Sequence, residues 1–278
     1  MGRKFGQHFL VNPQILDRLM ACAAVRPGEP VLEVGPGRGA LTERLLAAGA
    51  RVTAVEIDPE LIPHLTQRWA GTPAFRLIPG DILKTPLDAA ALFGTETPYA
   101  VIANLPYYLT TPLLFRFIRE RHRLTRLLIM VQREVAERIA AASGTGHAYG
   151  SLSIAAQIAF ATRLVLTVPA SAFHPKPKVE SAVVELVPQP PRWPPAVEAG
   201  FLDHIKGLFS QRRKLLSGTL RRAQPPWSAE RLDAALALVG DRRPETLSPE
   251  EHARVYALLR GLPEPAFQPP APPGEPVS

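Results

Sequence analysis

Short apolar runs alternate with helix-period stretches through the first two-thirds of the chain. Asn12-Pro13 opens the first such stretch, a capping residue followed by Pro in the first turn, with Ile15, Leu16, Leu19 and Met20 on one face. Residues 31–34, 51–58, 75–79, 100–102 and 127–131 read as strands. Continuous apolar strands are buried on both faces, as in parallel sheets. Helical patterns at 40–46, at 111–118 and from Gln132 through Ala140 separate them, and 152–158 reads as a further helix. Residues 179–187 alternate toward a final strand. This order predicts an α/β fold with a doubly wound, mostly parallel sheet.

The pattern changes near 188. Residues 188–195 are proline-rich and read as a linker. Helical patterns over 197–210, 214–222, 229–238 and 249–259 predict a small helical domain. From 263 on the chain is proline-rich, with the composition of a disordered tail. The expected organisation is therefore 1–188, 189–262 and 263–278, with no internal repeat.

Composition narrows the classes. The chain of 278 residues is 46% hydrophobic and 21% charged, ordinary for a globular protein with a full core. No apolar run is long enough for a bilayer span, and the first residues lack an apolar signal region, so a cytoplasmic location and no membrane partner are expected. Cys22 is the one cysteine, which excludes an internal disulfide and a Cys-based zinc site. Net charge is +7, carried mostly by Arg. That balance suits a polyanionic partner such as nucleic acid, and equally a surface shaped by genome composition or heat.

Candidate chemistry collects at predicted strand ends. Gly35-Pro36-Gly37-Arg38-Gly39 lies between strand and helix, where backbone N–H groups and a helix N-terminus meet a ligand. The spacing is GxGxG, and the absence of GK[ST] excludes a P-loop. Glu56 ends the next strand roughly 21 residues after Gly35, the offset at which a carboxylate meets ribose hydroxyls. Together they predict a nucleoside-containing cofactor. Asp58-Pro59-Glu60 reads as a helix cap. Glu33 is placed to orient the loop or meet a cationic group, or is a buried acid satisfied by backbone N–H groups. Asp81 after Gly80 is placed to accept from an adenine amine with Ile82 on the ring, or is an ordinary turn.

Asn104-Leu105-Pro106-Tyr107 follows the fourth strand. It offers an acceptor, a fixed backbone and a flat face, enough to hold a planar ring bearing an amine, and it also suits a plain strand-to-helix turn. The arm of residues 4–10 either closes over a ligand or packs as a tail, and no cluster with metal-ligand spacing includes His8. Arg116, Arg119, Arg121, Arg123 and Arg126 crowd one stretch, a candidate phosphate patch or a solvated helix end.

In this order, the segment from Glu33 to Gly39, Glu56, Gly80-Asp81 and Asn104-Leu105-Pro106-Tyr107 resemble class I S-adenosylmethionine-dependent methyltransferases. The Asn-Leu-Pro-Tyr string is similar to that of enzymes methylating exocyclic amines. Gly6-Gln7-His8-Phe9-Leu10 resembles the N-terminal motif of the ribosomal RNA adenosine dimethyltransferases. Ala148-Tyr149-Gly150, with Leu152-Ser153, and Gln211-Arg212-Arg213-Lys214 resemble the small-subunit branch more than the large-subunit Erm branch. Phe173-His174-Pro175-Lys176-Pro177-Lys178-Val179 matches the family's motif beside the target base.

The resemblance implies a Rossmann-like class I domain over 1–188 with an antiparallel last strand. It implies S-adenosylmethionine as donor, S-adenosylhomocysteine as product and no metal. The implied substrate is 16S rRNA of the small ribosomal subunit, dimethylated at N6 of two adjacent adenosines in its 3'-terminal hairpin, by an enzyme expected to be monomeric. Catalysis would rest on Asn104, the carbonyl of Leu105 or Pro106, and an adenine sandwich of Tyr107 and Phe173. The cofactor would be held by Gln7, His8, Leu10, Glu33, Gly35, Gly37, Glu56, Ile57, Asp81, Ile82 and Asn104. RNA contacts would come from Arg116, Arg119, Arg123, Lys176, Lys178, Arg212, Arg213, Lys214, Arg221 and Arg222. His8 stands where the family usually has Asn. Two rival readings are an Erm-like enzyme and a non-enzymatic RNA-binding assembly or transcription factor.

Overall fold

The computed structural model describes residues 7–223 and 227–265. The expectations for residues 4–6 of the arm, and for the proline-rich tail from 266 on, lie outside the described residues. The chain runs β1 (Phe9–Leu10), α1 (Pro13–Ala23), β2 (Pro30–Val34), α2 (Ala40–Ala47), β3 (Arg51–Glu56), α3 (Ile62–Arg68), β4 (Phe75–Pro79), α4 (Ala89–Phe93), β5 (Tyr99–Asn104) and α5 (Thr110–Arg119). It continues with β6 (Leu124–Gln132), α6 (Arg133–Ala140), α7 (Ser151–Ala159), β7 (Phe160–Val168), β8 (Phe173–His174) and β9 (Ser181–Pro188). Helices α8 (Pro195–Ser210), α9 (Leu216–Arg221), α10 (Ala229–Val239) and α11 (Pro249–Arg260) complete it.

Seven strands form one sheet in the order β4-β3-β2-β5-β6-β9-β7. The first five are parallel, and β9 runs antiparallel to β6. The reversal of strand order between β2 and β5 is the topological switch point, and ligands bind there at the carboxyl ends of strands. Val31, Val101, Ile102, Ile129 and Met130 are fully or almost fully buried, as continuous apolar strands require. The side chain of Asn12 caps α1 by accepting from Ile15 N at 3.1 Å, and Ile15, Leu16 and Leu19 bury the predicted face.

Three features depart from the pattern. β7 was not expected: it follows α7 without a break, Phe160 being both the extended C-cap of that helix and the first strand residue. Its mixed burial gives no clean period. β1 and β8 pair as a separate two-stranded sheet, Phe9 opposite His174 and Leu10 opposite Phe173, too short for any period to show. Finally, Asp58 is not the cap of α3, which starts at Ile62; its Oδ1 instead closes a tight turn by accepting from Glu60 N.

The chain divides into two compact units. Among the described residues, one holds those up to Ala136 with Thr162–Pro188, and the other holds Glu137–Ala161 with those from Gln189 on. The division is thus not a single crossing at 188. Tyr149, Ile154 and Ile158 bury in the same cluster as Phe201, Ile205, Leu216 and Tyr256, which draws α7 into the helical unit. Tyr149 OH donates to Leu247 O at 2.8 Å within it.

Candidate active site

Parallel strands deliver their carboxyl ends to one rim, so the chemistry at the ends of β2, β3, β4 and β5 converges by topology. The turn after β2 is pinned to β3 by Gly35 N donating to Val55 O at 2.9 Å. Gly37 has φ +60°, and a Cβ there would lie 2.8 Å from the Phe9 ring. At Gly39, φ is +85° and a Cβ would lie 2.1 Å from Trp69. Both positions demand glycine for backbone conformation and for space.

Two carboxylates sit behind this turn, each only 2% exposed. Glu56 accepts from Gly37 N at 3.2 Å and Asp58 N at 2.9 Å. Burial raises its pKa, against these backbone hydrogen bonds. Glu33 accepts from Thr42 Oγ1 at 2.6 Å. Burial pushes its carboxyl up to about 8, the Thr42 bond opposing the shift and the charge of Glu56 adding to it.

The arm closes the rim. Gln7 Nε2 donates to Asp58 Oδ2 at 3.0 Å, and Val11 N and Asn12 N donate to Ala172 O. His8 Nδ1 lies 2.7 Å from Pro175 O. A carbonyl only accepts, so that nitrogen carries the proton. Asn104 Nδ2 donates to His8 O at 3.2 Å. The same logic orients the Asn104 amide and leaves its Oδ1 as an acceptor. Leu105 N is held by Met130 O at 3.0 Å, and Pro106 O accepts from Leu109 N at 2.9 Å. Tyr107 OH is 3.0 Å from Ser181 Oγ, and its ring centroid is 5.8 Å from that of His8.

These pieces enclose a cavity of about 330 Å³. Gln7, His8, Leu10, Glu33, Gly35, Gly37, Glu56, Ile57, Asp81, Ile82, Asn104, Leu105, Pro106 and Tyr107 all line it. Asp81 Oδ1 accepts from Leu83 N at 2.9 Å, closing a local turn, and Asp81 lines the cavity. Phe9, Arg38 and Tyr108 also line the cavity, and none was among the expected site residues. Tyr108 is 54% exposed, and its position next to Tyr107 was the available signal.

Other expected residues are placed differently. Phe173 is 4% exposed and belongs to the core with Leu10, Leu166 and Val183, so its ring is not presented to the cavity. Of the two rings expected to sandwich the adenine, Tyr107 alone lines the cavity. Arg116 spends its guanidinium on the carbonyls of Ile82 and Thr85, an internal strut instead of a phosphate contact. Arg123 pairs with Glu120 at 2.8 Å, and Arg212 with Glu245 at 3.2 Å and Gly146 O at 2.8 Å. Arg119, Lys176, Lys178, Arg213, Lys214, Arg221 and Arg222 are exposed.

The family model described as ribosomal RNA adenine dimethylase matches residues 1–259. This chain belongs to that family. The dimethylase is 42% identical over 265 residues to ribosomal RNA small subunit methyltransferase A of Geobacter metallireducens, covering 94% of this chain and 96% of the relative. It is 40% identical to the protein of that name from Synechococcus sp. RCC307, covering 93% and 96%. Among solved structures, a dimethyladenosine transferase from Plasmodium falciparum superposes with a TM-score of 0.74 at 26% identity, covering 92% and 99%. The 23S rRNA methyltransferase ErmE superposes with 0.70 at 26% identity, covering 91% and 99%. The dimethylase is accordingly an S-adenosylmethionine-dependent enzyme acting on rRNA adenine.

The residues present fit such a cofactor. Gly37 lines the cavity with its backbone, where a Cβ would collide with Phe9, and Glu56 is a buried carboxylate at the strand end next to it. Two buried acids suit a ligand that carries positive charge. Among the described residues, no three His, Cys, Asp or Glu side chains converge as a metal site, and no helix is long and apolar enough to cross a membrane.

Proposed function

We propose that this dimethylase methylates N6 of two adjacent adenosines in the 3'-terminal hairpin of 16S rRNA, twice each, in the cytoplasm and as part of small-subunit assembly. The observation that carries this reading is the oriented Asn104 amide. Its Nδ2 donates one hydrogen bond to the arm, and its oxygen remains to accept from an exocyclic amine at the cavity. S-adenosylmethionine supplies an electrophilic methyl group on a sulfonium and leaves as S-adenosylhomocysteine.

The N6 lone pair is conjugated into the adenine ring, which makes the amine a poor nucleophile. Asn104 Oδ1 and one main-chain carbonyl accept its two hydrogens and favour a pyramidal nitrogen. Leu105 O is the better second acceptor, because Pro106 O already accepts from Leu109 N. Tyr107 offers its face to the flipped base, its hydroxyl steadied by Ser181. In this reading Glu56 meets the ribose and Asp81 the adenine of the cofactor, with Gln7, His8 and Leu10 over it; that all five line one cavity supports it. The proton leaves for solvent after methyl transfer. Positioning and desolvation carry most of the rate. Lys176 and Lys178, exposed beyond β8, and Arg213, Lys214, Arg221 and Arg222 in the helical unit are the cations offered to RNA phosphates.

The test incubates the protein and labelled S-adenosylmethionine with unmethylated small and large ribosomal subunits side by side, followed by nucleoside mass spectrometry. N6,N6-dimethyladenosine in the small subunit alone is expected. Label in large-subunit RNA would instead support the Erm-like reading, since ErmE shares the fold at the same identity as the dimethyladenosine transferase. Binding of RNA without transfer to either subunit would support a non-enzymatic assembly factor.

A further inference from the structure

Glu33 and Glu56 are unequally supported. Both are 2% exposed and stand at the ends of neighbouring parallel strands. Glu56 has two backbone N–H groups aimed at its two oxygens, from Gly37 and Asp58. Glu33 has a single hydroxyl, that of Thr42 on α2. A buried carboxylate without N–H donors or a cation beside it is costly to ionise, and a like charge nearby adds to the cost. The charged neighbour that acts on Glu33 is Glu56. Arg38, His8 and Asp81 line the same cavity. None of the three is among the groups that shift Glu33. Of the two acids, the less supported one takes the proton.

We infer that Glu33 is the counter-ion of the cofactor's positive charge, and that taking up the cofactor expels a proton from its carboxyl group. The inference rests on the S-adenosylmethionine reading above. A cation placed in the cavity supplies the partner the fold omits, so the O–H bond of Glu33 breaks and its proton passes to bulk solvent. One positive charge enters and one leaves, and the pocket's net charge is conserved. Cofactor capture is therefore weaker in acid, and the site discriminates against a neutral adenosine lacking the cation. Glu33 acts here as a positioning and charge-matching residue, separate from the methyl-transfer step. The raised carboxyl, at about 8, places the linkage in the neutral range.

The test is isothermal titration calorimetry of the wild-type protein with S-adenosylmethionine at pH 7, in buffers of differing ionisation enthalpy. Close to one proton released per molecule bound is expected, with affinity rising by up to about tenfold per pH unit below pH 8. Glu33→Gln keeps the shape and the Thr42 bond but has no proton to lose. That variant should release none by comparison and show a flat pH dependence. Buffer-independent heats in the wild type, or undiminished release by Glu33→Gln, would overturn the inference. A wild-type protein folded by circular dichroism that gives no binding would instead overturn the cofactor reading.

Discussion

Asn104 donates from Nδ2 to His8 O of the arm, which leaves its Oδ1 as an acceptor at the cavity. Asn104→Ala removes the acceptor and the tether together. We predict a fall in kcat of about a hundredfold or more, the scale of losing one preorganised polar group, with RNA affinity within a few-fold by filter binding. Glu33 gives a second prediction. Its folded pKa is raised above the unfolded 4.5 to about 8, so its contribution to stability is complete below the unfolded value and lost as pH rises through the folded one. Without cofactor, Glu33→Gln should raise Tm at pH 8 and leave it nearly unchanged at pH 4, read by calorimetry. The strand-end residues were legible because each belongs to a short local string. Phe173 was not: it faces the core because it pairs with Leu10, far away in sequence.

At the scale of elements, the glycine turn packs against the arm, and the β4–α4 connection is held by α5. Gly37→Ala forces a left-handed residue to carry a Cβ and drives that atom onto Phe9 of β1. The conformational part alone costs about 1–2 kcal/mol. The variant should be destabilised in urea unfolding and bind S-adenosylmethionine more weakly. Arg116 braces the segment after β4 through the carbonyls of Ile82 and Thr85. Arg116→Ala should therefore lower stability while leaving the salt dependence of RNA binding unchanged. Lys178→Ala should do the reverse, reducing the slope of log K against log salt by about one. The arginine cluster was visible in sequence, but a guanidinium's partner is set by what faces it in space. Hence the guanidinium groups of Arg116, Arg123 and Arg212 are each engaged by partners within the protein.

At the scale of the molecule, the two units answer differently to acid. His204 and His252 are buried in the helical unit, and burial lowers each to about 4, with neighbouring charge lowering His204 further and the Pro244 carbonyl partly opposing the shift at His252. Their folded pKa values lie below the unfolded 6.5, so stability is complete above 6.5 and is lost as pH falls toward 4. Trp193 and Trp227 report on this unit, through contacts with Phe201 and Tyr256 and with His204. Acid titration should change their fluorescence across that window before the Trp69 environment responds, with Trp-to-Phe variants separating the signals. The sequence by itself determined the alternation of strands and helices, the glycine turn, and which residues stand at the strand ends. Periodicity and positive-φ glycines are local, so they survive without knowledge of neighbours. Tertiary structure decided the rest: β7 at the sheet edge, the arm paired to β8, α7 joined to the C-terminal helices, Phe173 turned inward and the burial of Glu33. Each of these depends on which surfaces meet across long stretches of chain and how much water they exclude.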